Sequence, residues 1–249
     1  MLRYLTAGES HGEALLAILE GMPAGLKINS SAIDSELRRR QAGLGRGGRM
    51  KIEKDKVLIL SGLRRGFTIG SPIAMLINNR DASIERLGAV LNARPGHADL
   101  AGALKYGFSD VRNVLERASA RETAARVCVG AVCKVFLKKF GILVSSRIIS
   151  IAGEMEYKRM KARVEQAKRE KNTVGGILEI MAKGVPAGLG SYVQYDRRID
   201  ALIATHIMSI PGIKALEIGL GFGYGLRFGS QCHDAVYYSK AAGYFRKTN

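Results

Sequence analysis

The chain contains no tryptophan, and aromatic residues make up only 6% of its 249 positions. Stacking platforms for unpaired bases are therefore sparse. No helix-turn-helix, zinc-finger or RNP pattern occurs either, so sequence-reading of nucleic acid is not signalled. Cysteine is scarce and odd in number. Cys128, Cys133 and Cys232 show no CxxC spacing, which argues against a disulfide framework and a zinc site. Cys128 and Cys133 lie among Val and Ala, where a thiol acts as a small hydrophobe. No apolar run approaches the length of a bilayer span; Val57–Leu60 and Val127–Val132 are among the longest. Met1–Gly12 carries Arg3, Glu9 and His11 and lacks signal-peptide anatomy. The expectation is a cytoplasmic protein with no membrane partner and no metal.

Apolar residues make up 47% of the chain, enough for a sizeable core. The formal charge is +17, from 39 Lys and Arg against 22 Asp and Glu. A field of that sign attracts polyanions, whether nucleic acid, phosphorylated metabolites or a nucleotide cofactor. Composition alone does not choose among them.

Leu2–Ala7 and Leu15–Leu19 read as strands, joined by Gly8-Glu9-Ser10-His11-Gly12. Ser30 or Ser31 can cap a helix to about Gln41, with acidic residues early and Arg38, Arg39 and Arg40 late, as the dipole favours. A hairpin is expected from Lys51–Lys54 to Val57–Leu60, and a strand over Ile73–Asn78. Ser119 and Glu122 form a capping-box pattern ahead of an apolar stripe with helical period, Ala124 through Phe136. Glu154–Lys171 is charged and helix-forming. The turn Gly21-Met22-Pro23-Ala24-Gly25 is echoed by Gly184-Val185-Pro186-Ala187-Gly188. Each copy follows an apolar run and precedes a helical segment and a second apolar run (Val57–Leu60; Ala215–Gly219). The echo predicts a pseudo-symmetric α+β fold, antiparallel sheets flanked by helices, built as one domain over 1–249.

Ala42–Arg49 reads A-G-L-G-R-G-G-R, and with Arg38, Arg39 and Arg40 places five arginines within twelve positions. Glycines allow close backbone approach, and Arg46 and Arg49 offer forked donors matched to phosphate. The loop is neither a Walker loop nor a GxGxxG fingerprint. It fits an anion-binding active-site loop, a surface turn or an RNA-contacting patch. Ser119-Ala120-Arg121 opens a helix, where free N–H groups suit an anion, yet the dipole disfavours an arginine there without one. His11 and His97 both lie beside glycines in loops, where an imidazole can exchange protons with a ligand. His206 and His233 read as structural.

These segments together resemble the chorismate synthase family. The match is carried by Thr6–Gly12, Leu37–Gln41 through Gly45–Met50, Arg94-Pro95-Gly96-His97-Ala98-Asp99 and Glu116–Thr123, and later by Gly175-Gly176, Gly184-Val185-Pro186, Ser209-Ile210-Pro211 and Gly219–Phe222. The resemblance implies a β-α-β sandwich, a homotetramer and a lyase that converts 5-enolpyruvylshikimate-3-phosphate to chorismate and phosphate by anti-1,4-elimination. It further implies reduced FMN as cofactor, with NADPH as a possible reductant. Carried over by position, Ser10, His11, Arg49 and Arg121 would hold substrate, with His11 protonating the departing phosphate and His97 the reduced flavin. Arg40, Arg46, Arg94, Ser119, Ala120, Arg121, Pro211 and Gly212 would contact the cofactors. Leu44 departs from the family's usual Tyr, and the stretches 79–94 and 156–172 are short. The chain ends at Thr248-Asn249, ahead of the family's glycine-rich segment, its Lys-Pro-Ile-Pro-Thr flavin loop and an Arg-Ser-Asp motif holding the proposed base. The expectations are a domain incomplete at its C-terminus and weak catalysis by this chain. The readings held against it are a basic nucleic-acid-binding module and an inactive homologue that keeps only the scaffold.

Overall fold

The computed structural model describes residues 2–45 and 52–247, and these form two compact units divided between Ala187 and Gly188. In the first unit, β1 (Arg3–Ala7), β2 (Ala14–Glu20), β3 (Leu58–Ile59) and β6 (Ile73–Asn78) make one antiparallel sheet of order β1-β2-β6-β3. Alternation decides which face is covered. Leu15, Ala17 and Leu19 of β2 and Ile73, Met75 and Ile77 of β6 are all buried on one side.

Helix α1 (Ser30–Gln41) and the long helix α4 (Thr123–Lys138) pack as a layer on that side. Ile33 and Leu37 of α1 meet Ala124, Ala125, Cys128, Val129, Ala131 and Val132 of α4 in a single core with the strands. Burial pushes the Cys128 thiol up to about 12, so it stays protonated and inert, as a small hydrophobe would. Between these helices in sequence come two short ones, α2 (Asp99–Tyr106) and α3 (Arg112–Arg117). A small ribbon, β4 (Leu63–Arg64) with β5 (Phe67–Thr68), and a longer one, β7 (Leu143–Ile151) with β8 (Gly176–Lys183), complete the strands of the unit. Helix α5 (Tyr157–Arg169) lies between β7 and β8 in sequence and buries only Met160 and Ala167.

The second unit holds α6 (Ile199–Met208) and a hairpin of β9 (Val236–Ser239) with β10 (Gly243–Arg246). Mixed helices and antiparallel sheets give the α+β class the sequence predicted.

Several local expectations are corrected. Asn29, rather than Ser30 or Ser31, caps α1; its side chain accepts from the Ser31 N–H at 3.0 Å, while Ser30 is already helical. Leu58–Ile59 pairs with β6, not with a strand at 51–54; Lys51 lies outside the described residues. Ser119 caps a single 3₁₀ turn, Ala120–Glu122, and α4 begins after it. Glu122 turns away from the cap to bond Thr6 Oγ1, far along the chain, and Arg126, one helical turn on, and these two partners displace the capping box. Ala215–Gly219 is not a strand, so the second copy of the echo departs from the first there.

Candidate functional site

The β1–β2 connection carries the first candidate pair. Gly8 adopts φ 101°, and a Cβ there would collide with the Ala14 carbonyl, so the turn requires glycine. Asn79, at the end of β6, then fixes the loop: its Nδ2 donates to the carbonyls of Glu9, Ser10 and Gly12 at 3.1, 3.3 and 2.7 Å. Ser10 is buried and donates its N–H to the Glu116 carbonyl at 2.9 Å. His11 is half-buried, with its Nδ1 3.0 Å from the Glu116 carboxylate and its Nε2 3.8 Å from Asp81. Arg117 reaches back to the carbonyls of Thr6 and Gly8, each at 2.8 Å, and so holds α3 against the end of β1.

The Asn79 side chain faces two ways. Its Oδ1 accepts from Arg121 Nε at 2.9 Å. Arg121 is itself buried, its Nη1 donating to both oxygens of Asp55 at 2.7 and 2.8 Å, with Glu53 3.7 Å from Nη2. This pairing answers the dipole mismatch: the arginine at the start of the turn is neutralised by Asp55 and Glu53, both buried. Arg40, at the last turn of α1, lies 3.8 Å from Asp55 and donates to the Ala120 carbonyl at 2.9 Å and to Thr123. Among the described residues, Arg121 Nη2 is the one buried side-chain nitrogen or oxygen without a hydrogen-bond partner.

Ser10, His11, Arg40 and the Ser119–Arg121 turn are thus joined through Asn79, Glu116 and Asp55. None of those three linking residues was assigned a role from sequence. The partners they join lie 15 to 106 positions away, and no local period marks them. Glu116 alone carried a signal, as the first residue of a matched segment. Arg46 and Arg49 lie outside the described residues.

Arg94 and His97 belong to a separate loop. Arg94 clamps Asp99 through Nε at 2.8 Å and Nη2 at 2.9 Å, with its own N–H adding a third bond. His97 is exposed, with Nδ1 3.0 Å from the Pro95 carbonyl. Among the described residues, no hydrogen bond or ion pair joins Arg94 or His97 to His11. The Arg94 hydrogen bonds hold the Asp99 carboxyl down at about 2, against an ordinary 3.8. A depressed carboxylate stabilises the fold above its unfolded pKa and loses that contribution as pH falls through the folded one. Asp99→Asn should therefore lower the urea midpoint at pH 7, and the gap to wild type should close between pH 3.8 and about 2. A gap unchanged across that window would show that the clamp carries no charge-dependent stability.

Pro211 and Gly212 lie in the second unit, in an exposed turn just after α6, with Gly212 at φ 88°. Among the described residues there is no group of three or more His, Cys, Asp or Glu able to hold a metal ion. Among those residues, too, no helix is long and apolar enough to cross a membrane.

Comparison with known proteins gives one family. The sequence model of chorismate synthase matches residues 2–249. A chorismate synthase of Thermoanaerobacter pseudethanolicus is 53% identical over 251 aligned positions, covering all of this chain and 72% of that protein. One from Caldanaerobacter subterraneus subsp. tengcongensis is 54% identical with the same coverage. One from Geobacter sulfurreducens is 48% identical, covering all of this chain and 75% of that protein. A crystal structure of chorismate synthase superposes with a TM-score of 0.84 at 44% identity, covering all of this chain and 78% of that one.

Proposed function

This chain belongs to the chorismate synthase family, and from that membership we propose that it converts 5-enolpyruvylshikimate-3-phosphate to chorismate and phosphate with reduced FMN bound. The family makes it a lyase of aromatic biosynthesis. The observation that best supports the finer reading is the convergence of Ser10, His11, Arg40 and Arg121 through the Asn79 side chain and its neighbours.

In this reading Ser10, Arg49 and Arg121 bind and orient the polyanionic substrate, and His11 gives a proton to the departing phosphate. Arg40, Arg46, Arg94 and the Ser119–Arg121 turn would hold the cofactor, and Pro211 and Gly212 keep the cofactor-contacting role that the family resemblance gives them. Arg121 Nη2, buried and without a hydrogen-bond partner, fits such a ligand, since a guanidinium N–H is a donor suited to phosphate or a flavin carbonyl. Reduced FMN, when bound, would supply an electron-rich ring to the elimination, with no net redox change. His97 holds its Nδ1 proton on the Pro95 carbonyl, so Nε2 would be the nitrogen to exchange a proton with a bound flavin. NADPH as reductant, a homotetramer, a single domain over the chain and a cytoplasmic setting belong to the same proposal. So does the absence of a nucleic-acid partner: two polyanionic ligands account for the arginine crowding.

Anaerobic titration with reduced FMN tests the cofactor reading. We expect saturable binding, weakened about 10-fold by Arg46→Ala, the worth of one charge-assisted hydrogen bond. A folded protein that shows no saturable binding would refute it.

A further inference from the structure

Glu116 has no part in the assignments above, yet it is tied more closely to His11 than any other side chain. It lies on α3 with 2% of its surface exposed. Its Oε2 accepts from the His11 backbone N–H at 2.8 Å, and both carboxylate oxygens lie 3.0 Å from His11 Nδ1. Arg112 Nη1 stands 3.4 Å from Oε1 and supplies the counter-charge. An ionised carboxylate only accepts, so the hydrogen in the Nδ1 contact must be carried by Nδ1. The imidazole is then oriented with Nε2 on its other side, where Asp81 is 3.8 Å away, beyond hydrogen-bond reach. The backbone bond and the ring bond to one carboxylate fix both the position of the residue and the rotation of its ring.

We propose that Glu116 is a positioning residue for the elimination: it locks His11 in the Nδ1–H form, so that Nε2 alone exchanges a proton with the departing phosphate. This rests on the assignment of His11 as the phosphate's proton donor. In that step the carbon–oxygen bond to phosphate breaks with both electrons leaving on oxygen. The proton on Nε2 passes to that oxygen, and the ring returns to the neutral Nδ1–H tautomer. The electrons of the C6–H bond form one new ring double bond, the existing double bond shifts toward the carbon that loses phosphate, and the C6 proton passes to a general base and from it to solvent water. A second mobile site on Nδ1 would let the ring present the wrong nitrogen, a fault that can cost up to about 10⁴-fold where a carboxylate sets a catalytic histidine's tautomer.

Glu116→Gln is the informative variant, because it offers one acceptor oxygen where the carboxylate has two. One of the two positions 3.0 Å from Nδ1 then holds an NH₂ donor instead of an acceptor, which weakens the preference for the Nδ1–H tautomer. Full-length protein labelled with ¹⁵N-histidine reports the ring proton directly at a pH where the ring is neutral, with the His11 signals identified by their loss in His11→Asn. We expect Nδ1–H in the wild type, a shift toward Nε2–H in Glu116→Gln, and kcat lowered about 10- to 1,000-fold with KM changed less than about threefold. Glu116→Asp, which keeps the charge, should restore Nδ1–H and part of kcat. A wild-type ring protonated at Nε2 overturns the proposal whatever the variants do. So does a folded Glu116→Gln in which the tautomer moves without kcat, or kcat without the tautomer. A wild-type chain that turns over no substrate would sink the functional reading instead, while the ring spectra still decide whether Glu116 sets the tautomer.

Discussion

Replacing His11 with alanine should lower the rate of chorismate formation roughly 100- to 10,000-fold, the usual worth of a positioned proton donor. The loss should fall on kcat, because Ser10, Arg49 and Arg121 would still bind the substrate's charged groups. Folding should survive. Glu116 would lose its ring partner but keep the His11 backbone N–H and Arg112, so the stability cost is about one ordinary hydrogen bond, ~1 kcal/mol. The measurement is anaerobic turnover of 5-enolpyruvylshikimate-3-phosphate with reduced FMN, following chorismate and inorganic phosphate together. His233→Ala is the control; this histidine is exposed and lies in the second unit, and its loss should leave the rate within about twofold. Equal, small effects of the two substitutions would remove His11 from the mechanism.

The largest stability effect should come from Arg121→Leu. The substitution leaves Asp55, whose side chain is 0% exposed, without the guanidinium that meets both its oxygens. Breaking a buried pair from one side costs about 3–5 kcal/mol, chiefly through the uncompensated charge. In a unit of this size each kcal/mol moves Tm by roughly 2–4 °C, so a fall of about 6–20 °C is expected. Arg40, 3.8 Å from Asp55, keeps the effect toward the lower end. The double variant Arg121→Leu with Asp55→Leu should recover part of the loss, since it removes the Asp55–Arg121 pair while Glu53 stays buried. If the double variant is no more stable than the single one, the pair is not what stabilises this region. The Arg121 pairing also bears on ligand binding. With Nη1 and Nε committed to Asp55 and Asn79, Nη2, 3.7 Å from Glu53, is the guanidinium nitrogen without a hydrogen-bond partner.

The separation of these effects follows from chain connectivity. His11 is set by α3 and Arg121 by the strand ends around Asp55, with Asn79 the residue that touches both groups. The Arg94–Asp99 clamp is local, spanning five positions, and its pH response should be independent of either.

The sequence by itself determined the family, the α+β class and the elements whose signals are short-range. Leu15, Ala17 and Leu19 alternate as a one-faced strand must, and Ala124 through Val132 repeat as a buried helix must, so β2 and α4 were legible from period alone. The glycine at position 8 and the loop it permits were legible for the same reason, since steric limits act on single residues. The residue types proposed to meet ligands were also legible: arginines in glycine-rich loops and histidines beside glycine. Only the tertiary structure decided what those residues bond to. Ser119 and Glu122 have the spacing of a capping box, yet Glu122 is taken by Thr6 and Arg126, because a buried carboxylate gains more from an arginine than from a helix end. Leu58–Ile59 could pair with either flank, and the exposed edge of β6 won it. Glu116, Asn79 and Asp55 left no periodic trace, because a buried polar side chain is specified by partners far along the chain. Burial without a partner is costly, so once the fold brings them together the partners become obligatory.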